Sequence, residues 1–205
     1  MSYHPRFLTA VALAASALLP AAATAQTNLA LGKATFASSV YQPGFSDPSR
    51  AVDGNTNGDY NVGSVFHSGS STNPFWYVDL GATYDISSIV FYNRTDGGFG
   101  ARIVGSTLGI FSSAPYGTTP AVPVQSFAFT TADAMQTFTA AAGTRGRYVG
   151  IQNPTQYLQI AELQVFGSQG APVSTVPEPS TWVLLASGLG ALGVTARRRR
   201  GTLDS

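Results

Sequence analysis

The 205-residue chain contains no cysteine and little charge, since Asp, Glu, Lys and Arg make up only 10% of it. Without cysteine, disulfide bonds, thiolate metal sites and cysteine catalysis are excluded. Between the two ends, no window carries a sustained helical stripe of apolar residues, so the pattern argues against a helical domain. Hydrolase motifs are also missing, because neither G-x-S-x-G nor H-E-x-x-H occurs.

The N-terminus has the pattern of a secretory signal peptide. Arg6 supplies a positive start, residues 7–20 are rich in Leu, Ala and Val, and the small residues at 23–25 suit cleavage. We predict a signal peptide with an apolar helix over 1–25 and a mature chain that starts at Gln26; an uncleaved anchor is the alternative.

The C-terminus carries a second apolar segment. The sequence V-P-E-P at 176–179 precedes an apolar run at 181–196, which four arginines close at 197–200. The run is short for a membrane-spanning helix, and the arginines match a cytoplasmic flank better than a nucleic-acid patch. We predict a linker at 170–175 and a tail with a hydrophobic helix at 176–205.

The segment between these ends, 26–169, is large enough for a single domain. It holds six basic and eight acidic side chains, so it lacks the excess of positive charge that nucleic acid or anionic lipid would need. Short β-branched and aromatic runs alternate there with Gly, Pro, Asn and Asp clusters, which predicts an all-β sandwich or jelly roll. Strands are predicted at 75–80, 86–92, 122–130, 136–140, 148–152 and 163–166.

A few cationic side chains are grouped in this nearly neutral domain. His67 precedes Arg94 and Arg102, and Asp96 lies between the arginines. Arginine offers only donors and neutral histidine offers one donor and one acceptor, so the group suits a polyhydroxylated ligand or an anion. If two loops project from one end of the sandwich, they bring His67 and Arg94 together. The alternative is structural: an ion pair of Arg94 with Asp96, and a solvated Arg102.

A second polar group centres on the loop D-G-N-T-N-G-D-Y-N, which starts at Asp53. Asp53, Asn55 and Ser64, with Glu162 far downstream, offer the oxygens that a hard cation such as calcium binds. The loop lacks the spacing of an EF-hand. Asp, Asn and Gly also form ordinary turns, so the residues alone leave both readings open.

Seven segments in order, T-N-L-A-L-G-K-A-T-F-A-S-S, A-V-D-G-N, G-S-V-F-H, N-P-F-W-Y-V-D-L-G, I-V-F-Y-N-R-T-D, G-R-Y-V-G-I-Q and A-E-L-Q-V-F-G, resemble the F-type (fucose-binding) lectin family. This family belongs to the discoidin-like, galactose-binding-like superfamily of β-sandwich jelly rolls. The resemblance covers residues 28–167. The family's sugar motif is His, 26 residues, then Arg-x-Asp-x4-Arg/Lys; here 26 residues separate His67 from Arg94, and Asp96 is in place.

The resemblance implies a role for each matching position. His67, Arg94 and Arg102 would hydrogen-bond sugar hydroxyls, and Asp96 would hold Arg94. A calcium ion (Ca²⁺) would stiffen the loops beneath the sugar. Its side-chain ligands would be Asp53, Ser64 and Glu162, and its main-chain carbonyl ligands Arg50, Asn55 and Ala161.

This chain departs from the family's motif in two places. Five residues rather than four separate Asp96 from Arg102, and Gly97 and Gly98 stand where relatives often have adjacent cysteines that pack on the sugar. We predict that Phe99 supplies the missing apolar surface for the sugar's methyl group or ring.

The tail resembles the PEP-CTERM sorting signal of Gram-negative bacteria. That resemblance implies transient insertion in the inner membrane, handling by an exosortase, and secretion or display at the cell surface or in an exopolysaccharide matrix. The expected function is that of a non-catalytic, calcium-supported lectin for a fucosylated or related glycan, with a homo-oligomer left open. A glycoside hydrolase would need two suitably placed carboxylates, whereas most acids here lie in turn-like or metal positions. A discoidin-like structural or adhesion module without a working sugar site is the other alternative.

Overall fold

The computed structural model describes residues 26–116 and 120–169. The predicted signal peptide, linker and sorting tail lie outside the described residues. Within the described residues, no helix has the length and apolar character needed to cross a membrane.

The described residues form nine strands, and every pairing between them is antiparallel. Three short 3₁₀ helices lie in the connections, at Pro48–Val52, Tyr60–Val62 and Asp96–Ile103. The strands are β1 Ala34–Ala37, β2 Phe66–His67, β3 Phe75–Tyr92, β4 Thr107–Phe111, β5 Gln125–Ala128, β6 Met135–Thr139, β7 Arg145–Gln152, β8 Gln159–Ile160 and β9 Glu162–Gln169.

Strand β3 joins the two halves of the domain. Its first half lies between β1 and β7, with β4 and β5 beyond β7, whereas its second half pairs with β6 and β9. Trp76 and Leu80 point inward from even positions, but Ile89 and Phe91 point inward from odd ones. The register shift between residues 86 and 88 accounts for this change, because one extra residue exchanges the two faces of a strand.

The inward residues of both halves belong to one hydrophobic core. Trp76 from the first half of β3 and Phe91 from the second are both fully buried, together with Leu108 of β4 and Leu163 of β9. One core shared by both halves requires the sheet to fold over itself, which is a sandwich. The all-β, jelly-roll prediction is confirmed.

The predicted strand boundaries were partly wrong. Residues 75–80 and 86–92 belong to one strand, because Gly81, at φ 86°, lets the chain pass through a bulge without a break. Strands β1, β2, β4 and β8 were not predicted. Of these, β2 and β8 contain only two residues each, too few to show an alternating pattern.

Candidate functional site

A cleft of about 350 Å³ opens at the end of the sandwich where β2 and the loop after β3 meet. It brings together all four residues predicted to contact the sugar. Its walls are Tyr41, Tyr60, Asn61, His67, Arg94, Phe99, Arg102 and Tyr157.

Hydrogen bonds to backbone carbonyl groups hold the loop after β3 in place. Buried Asn93 donates from Nδ2 to the carbonyl oxygen of Gly100 at 3.0 Å, and Thr95 N donates to Gly58 O at 2.8 Å. At Gly100, a Cβ atom would lie 2.6 Å from the carbonyl oxygen of Arg94, so only glycine permits this close approach. The loop is therefore fastened at both sides of the segment that carries Arg94.

Arg94 is fixed by Asp96. Its Nε and Nη2 atoms donate to Oδ1 and Oδ2 of Asp96 at 2.8 and 2.6 Å, and Arg94 is only 7% exposed. Asp96 also accepts from the backbone N–H of Tyr60 at 2.9 Å. Hydrogen bonding by Arg94 lowers the pKa of Asp96, so the carboxylate stays charged into the acidic range. The predicted supporting contact between Asp96 and Arg94 is present.

Arg102 reaches the cleft despite its displacement by one residue in the motif. The extra residue is absorbed in the 3₁₀ segment Asp96–Ile103, where Gly97 (φ 59°) and Gly98 (φ 72°) adopt left-handed conformations. Asn153 anchors the far end by donating from Nδ2 to the carbonyl oxygen of Arg102 at 2.7 Å.

The ring of Phe99 lies between the guanidinium groups of Arg94 and Arg102. The guanidinium carbons of Arg94 and Arg102 are each 4.4 Å from its ring centroid, and Phe99 remains 38% exposed. The same carbons lie 4.6 Å from the Tyr60 ring and 4.8 Å from the Tyr157 ring, respectively. Cations over aromatic faces are held by the ring quadrupole, so the rings orient both arginines.

His67 closes this arrangement. Its ring packs at centroid distances of 5.4 Å from Tyr60 and 5.5 Å from Tyr157, and Tyr41 covers it at 4.8 Å. The result is a closed cation–aromatic belt around the cleft. The belt consists of Tyr60, Arg94, Phe99, Arg102, Tyr157 and His67.

The imidazole of His67 is buried, with 4% exposure. Its Nδ1 lies 2.7 Å from the carbonyl oxygen of Ser68. Burial lowers the pKa of His67, and Arg94 and Arg102 lower it further, against the opposing effect of the Ser68 carbonyl. His67 is therefore neutral near pH 7, as a partner of sugar hydroxyls should be.

Sequence reasoning missed the tyrosines of the cleft, Asn61, and Gln159 beneath it. Tyr157 comes from the β7–β8 connection and Gln159 from the start of β8, where no motif marked them. Tyr157 adopts a left-handed conformation with φ 64°, which is rare for an aromatic residue and associated with functional sites. The sequence gives no sign of this backbone conformation, which only the structure shows.

Below the cleft, Glu162 is fully buried at the start of β9. Its Oε2 accepts from the backbone N–H of Gly54 at 3.2 Å, whereas Oε1 has no hydrogen-bond partner among the described residues. Burial, with the Asp53 carboxylate nearby, raises the pKa of Glu162 to about 7. A buried carboxylate oxygen without a partner is costly, and it fits a cation ligand.

The loop above Glu162 is built from successive Asx turns. The side-chain oxygens of Asp53, Asn55, Asn57 and Asp59 each accept from the backbone N–H two residues further on, at 2.9 to 3.1 Å. Ser64 Oγ lies 2.6 Å from Asn57 O and 2.9 Å from Asp59 O.

No group of three or more His, Cys, Asp and Glu side chains is placed to hold a metal within residues 26–116 and 120–169. The predicted calcium ligands include only two such residues, Asp53 and Glu162, and otherwise rely on a hydroxyl and carbonyls. Asp53 is exposed, and its Oδ2 lies 3.8 Å from Arg50 Nη1.

Comparison with known proteins identifies the domain. Residues 50–151 match the NedA-like, galactose-binding domain family. Fucolectin-5 of Anguilla japonica is 34% identical over 153 residues, which is 73% of this chain and 80% of the fucolectin.

Two solved structures resemble the fold closely. The lectin domain of lectinolysin, determined with the Lewis B antigen, is 31% identical with a TM-score of 0.61, covering 69% of this chain and 97% of that one. A Streptococcus pneumoniae fucose binding module is 28% identical with a TM-score of 0.61, covering 70% and 96%. These relatives are lectins and binding modules, which confirms the prediction of a non-catalytic domain.

Residues 175–200 match the PEP-CTERM protein-sorting motif, which indicates export and targeting to the cell surface. That match confirms the prediction that the tail resembles a PEP-CTERM sorting signal. Together with the fucolectin match, the cleft and the sandwich, it completes the classification: the chain belongs to the F-type lectin family and carries a C-terminal PEP-CTERM sorting motif.

Proposed function

We propose that this protein is an exported lectin that binds fucose or a sugar with a similar hydroxyl pattern in the cleft. The observation that carries the proposal is the convergence of His67, Arg94 and Arg102 on one open cleft beside the exposed ring of Phe99. Fucolectin-5 and the fucose binding module, similar over most of their length, support the choice of sugar.

The chemistry of the cleft suits a small polyhydroxylated ring. Asp96 occupies two of the five N–H groups of Arg94, which leaves others that can donate to a ligand, and the guanidinium of Arg102 adds further donors. Arginine forks match pairs of neighbouring hydroxyl oxygens, and Phe99 offers an apolar surface for a methyl group or ring face. A monosaccharide of about 11 heavy atoms should bind with a Kd between millimolar and micromolar.

We also propose that calcium stabilises the floor of the site. Glu162, Asp53 and Ser64 would bind it through side chains, and Arg50, Asn55 and Ala161 through carbonyls. Support comes from Glu162, whose buried Oε1 has no hydrogen-bond partner in the part of the chain that the structure describes. The ion would supply positive charge that offsets the buried carboxylate and would tie the 53–64 loop to β9.

The tail gives the setting in which the lectin would act. We propose that an exosortase-type system of a Gram-negative bacterium recognises the motif, and that the lectin is released or retained at the surface with exopolysaccharide. A weak site of this kind gains useful avidity when several copies meet one polymer. Surface display would provide such multiplicity.

A glycan array on the purified protein, with calcium and with a chelator, tests the sugar proposal. We expect signals for fucosylated glycans, and loss of those signals in His67→Ala and Arg94→Ala. Arg145→Ala is the matched control, because Arg145 is exposed and pairs with Asp85 away from the cleft. An array without fucosylated hits, or variants at His67 and Arg94 that bind as the wild type does, would disprove the sugar site.

A further inference from the structure

Gln159 lies directly beneath the cation–aromatic belt. It is the cross-strand partner of His67 in the short β2–β8 ladder, so the two side chains share one face. Gln159 is 3% exposed and belongs to no motif that sequence reasoning identified. A buried amide is expected to make hydrogen bonds, and the groups beside this one are those of the belt.

The amide of Gln159 touches all three nitrogen-bearing residues of the belt. With its oxygen turned toward the arginines, Oε1 lies 2.8 Å from Arg102 Nη1, 3.2 Å from Arg94 Nη1 and 2.7 Å from His67 Nε2. Guanidinium nitrogens carry only donors, so the neighbouring arginines select this orientation of the amide. One neutral oxygen thus accepts from both guanidinium groups, and it accepts from His67 when the imidazole carries its proton on Nε2.

The side-chain oxygen of Gln159 lies between two positively charged groups that differ in their partners. Arg94 has a carboxylate partner in Asp96, but no carboxylate lies within ion-pair distance of Arg102 in the described part of the chain. Two guanidinium groups that share one acceptor repel each other. Besides the ring faces of Phe99 and Tyr157, Gln159 Oε1 is the only hydrogen-bond acceptor found for the Arg102 side chain among the described residues.

We propose that Gln159 is a positioning residue of the sugar site: its side-chain oxygen gathers His67, Arg94 and Arg102 and holds the belt in a binding-competent arrangement. The inference rests on the proposed function, because the arrangement it maintains is the one that would meet a sugar. It also explains how Arg102 stays in the cleft although the loop before it is one residue longer than the motif.

Substitution by methionine separates this role from general packing. Gln159→Met keeps the length of an unbranched side chain but removes the shared acceptor. Gln156→Met is the matched control, since Gln156 is exposed and lies three residues earlier, in the β7–β8 connection. We expect Gln159→Met to weaken fucose binding about tenfold or more in calorimetric titration, the loss expected for one hydrogen bond to a charged group. The control should bind as the wild type does.

The imidazole signals of His67 in NMR provide a readout that packing alone would not change. The chain has two histidines, His4 and His67, and the His67 signals are assigned by their loss in His67→Ala. Removing the acceptor in Gln159→Met should lower the pKa of His67, whereas Gln159→Glu should raise it, because a carboxylate favours the imidazolium. Gln156→Met should leave the titration unchanged.

The outcomes separate this inference from the proposed function. If the wild type does not bind fucose, the proposed function fails first. If the wild type binds and His67→Ala does not, but Gln159→Met binds equally well or more tightly, Gln159 is no positioning residue. Tighter binding would mean that Gln159 competes with the sugar for the same donors. Unchanged His67 titrations in folded Gln159→Met and Gln159→Glu would likewise overturn the proposal.

Discussion

Arg94 donates two parallel hydrogen bonds to Asp96, at 2.8 and 2.6 Å, and the same carboxylate caps the backbone N–H of Tyr60. This pair links the loop after β3 to the 53–64 loop at the edge of the cleft. Because Arg94 and Asp96 are largely shielded from solvent, with side-chain exposures of 7% and 16%, their attraction is screened less than that of a surface pair.

Asp96→Asn should therefore weaken both the fold and the site. The variant keeps one acceptor oxygen but loses the charge, which leaves Arg94 without its bidentate partner. We expect a loss of about 2 kcal/mol in the free energy of unfolding, and about tenfold weaker fucose binding. Urea unfolding and calorimetric titration measure the two effects. Asp133→Asn, at an exposed carboxylate that accepts from Thr131 Oγ1, is the control and should change neither; equal behaviour of the two variants would contradict the prediction.

Phe99→Ala tests the predicted apolar surface of the site. The ring is 38% exposed in the cleft and lies 4.4 Å from both guanidinium carbons, so its loss removes a sugar contact and loosens the arginines. We expect fucose affinity to fall about five- to tenfold, since aromatic contacts of this kind contribute about 1 kcal/mol or more.

Phe36→Ala is the matched control for Phe99→Ala. Phe36 is 47% exposed but stacks on Tyr77 outside the cleft, so its removal should leave fucose affinity unchanged. Titration of both variants, after thermal unfolding has shown that each is folded, decides the matter. Fucose affinity that survives Phe99→Ala would refute the assigned role of Phe99.

The two adjacent glycines before Phe99 should respond differently to alanine. Both have positive φ, so either substitution should cost about 1–2 kcal/mol of stability. At Gly98 a Cβ atom meets nothing within 4 Å, but at Gly97 it would lie 2.6 Å from the Phe99 ring. We expect Gly97→Ala to displace the ring and lower fucose affinity, and Gly98→Ala to retain it. Equal affinities in the two variants would show that the Phe99 position does not depend on Gly97.

These residues also show how much of the site the sequence contains. His67, Arg94 and Asp96 were predictable, because they match the spacing of the family's sugar motif, although His67 lies in strand β2 rather than in a loop. Arg102 departs from the motif's spacing by one residue, and counting residues does not reveal that Gly97 and Gly98 turn left-handed and absorb the extra position. The torsion angles, rather than the count, determine where the guanidinium lies.

The sequence did not predict that Gln159 and Tyr157 belong to the site. Gln159 is 92 residues from His67 along the chain, and a ladder of two residues brings them together. Strands as short as β2 and β8 are stabilised by their partners rather than by a local pattern, so no periodicity predicts them. In contrast, the alternation around Trp76 was readable, because one face of a long strand packs on the core.

Calcium should stabilise the protein through Glu162. A ligand that binds only the folded state adds about 2.7 kcal/mol at a hundredfold excess over its Kd, so the midpoint of thermal unfolding should rise with calcium and fall with chelator. Glu162→Gln should abolish this response, because a neutral amide replaces the buried carboxylate. Asp85→Asn, at a half-exposed carboxylate paired with Arg145, should retain it. A calcium response that survives Glu162→Gln would place the ion elsewhere.

Acid should destabilise the fold through His67. Burial lowers the pKa of His67 below 6.5, and Arg94 and Arg102 lower it further. Between about pH 6.5 and that lower value, the unfolded chain binds more protons than the folded one, so protonation favours unfolding. His67 therefore contributes stability that is fully present above about pH 6.5 and is lost as the pH falls through the folded value.

His67→Gln supplies the reference for this pH dependence, because glutamine does not titrate. The difference in free energy of unfolding between the wild type and this variant, measured with urea from about pH 8 to about pH 5, should be constant at first and then shrink below about pH 6.5. The other acids titrate in both proteins and cancel in the difference. A difference that grows on acidification would mean that the Ser68 carbonyl and Gln159 outweigh burial and hold His67 as an imidazolium.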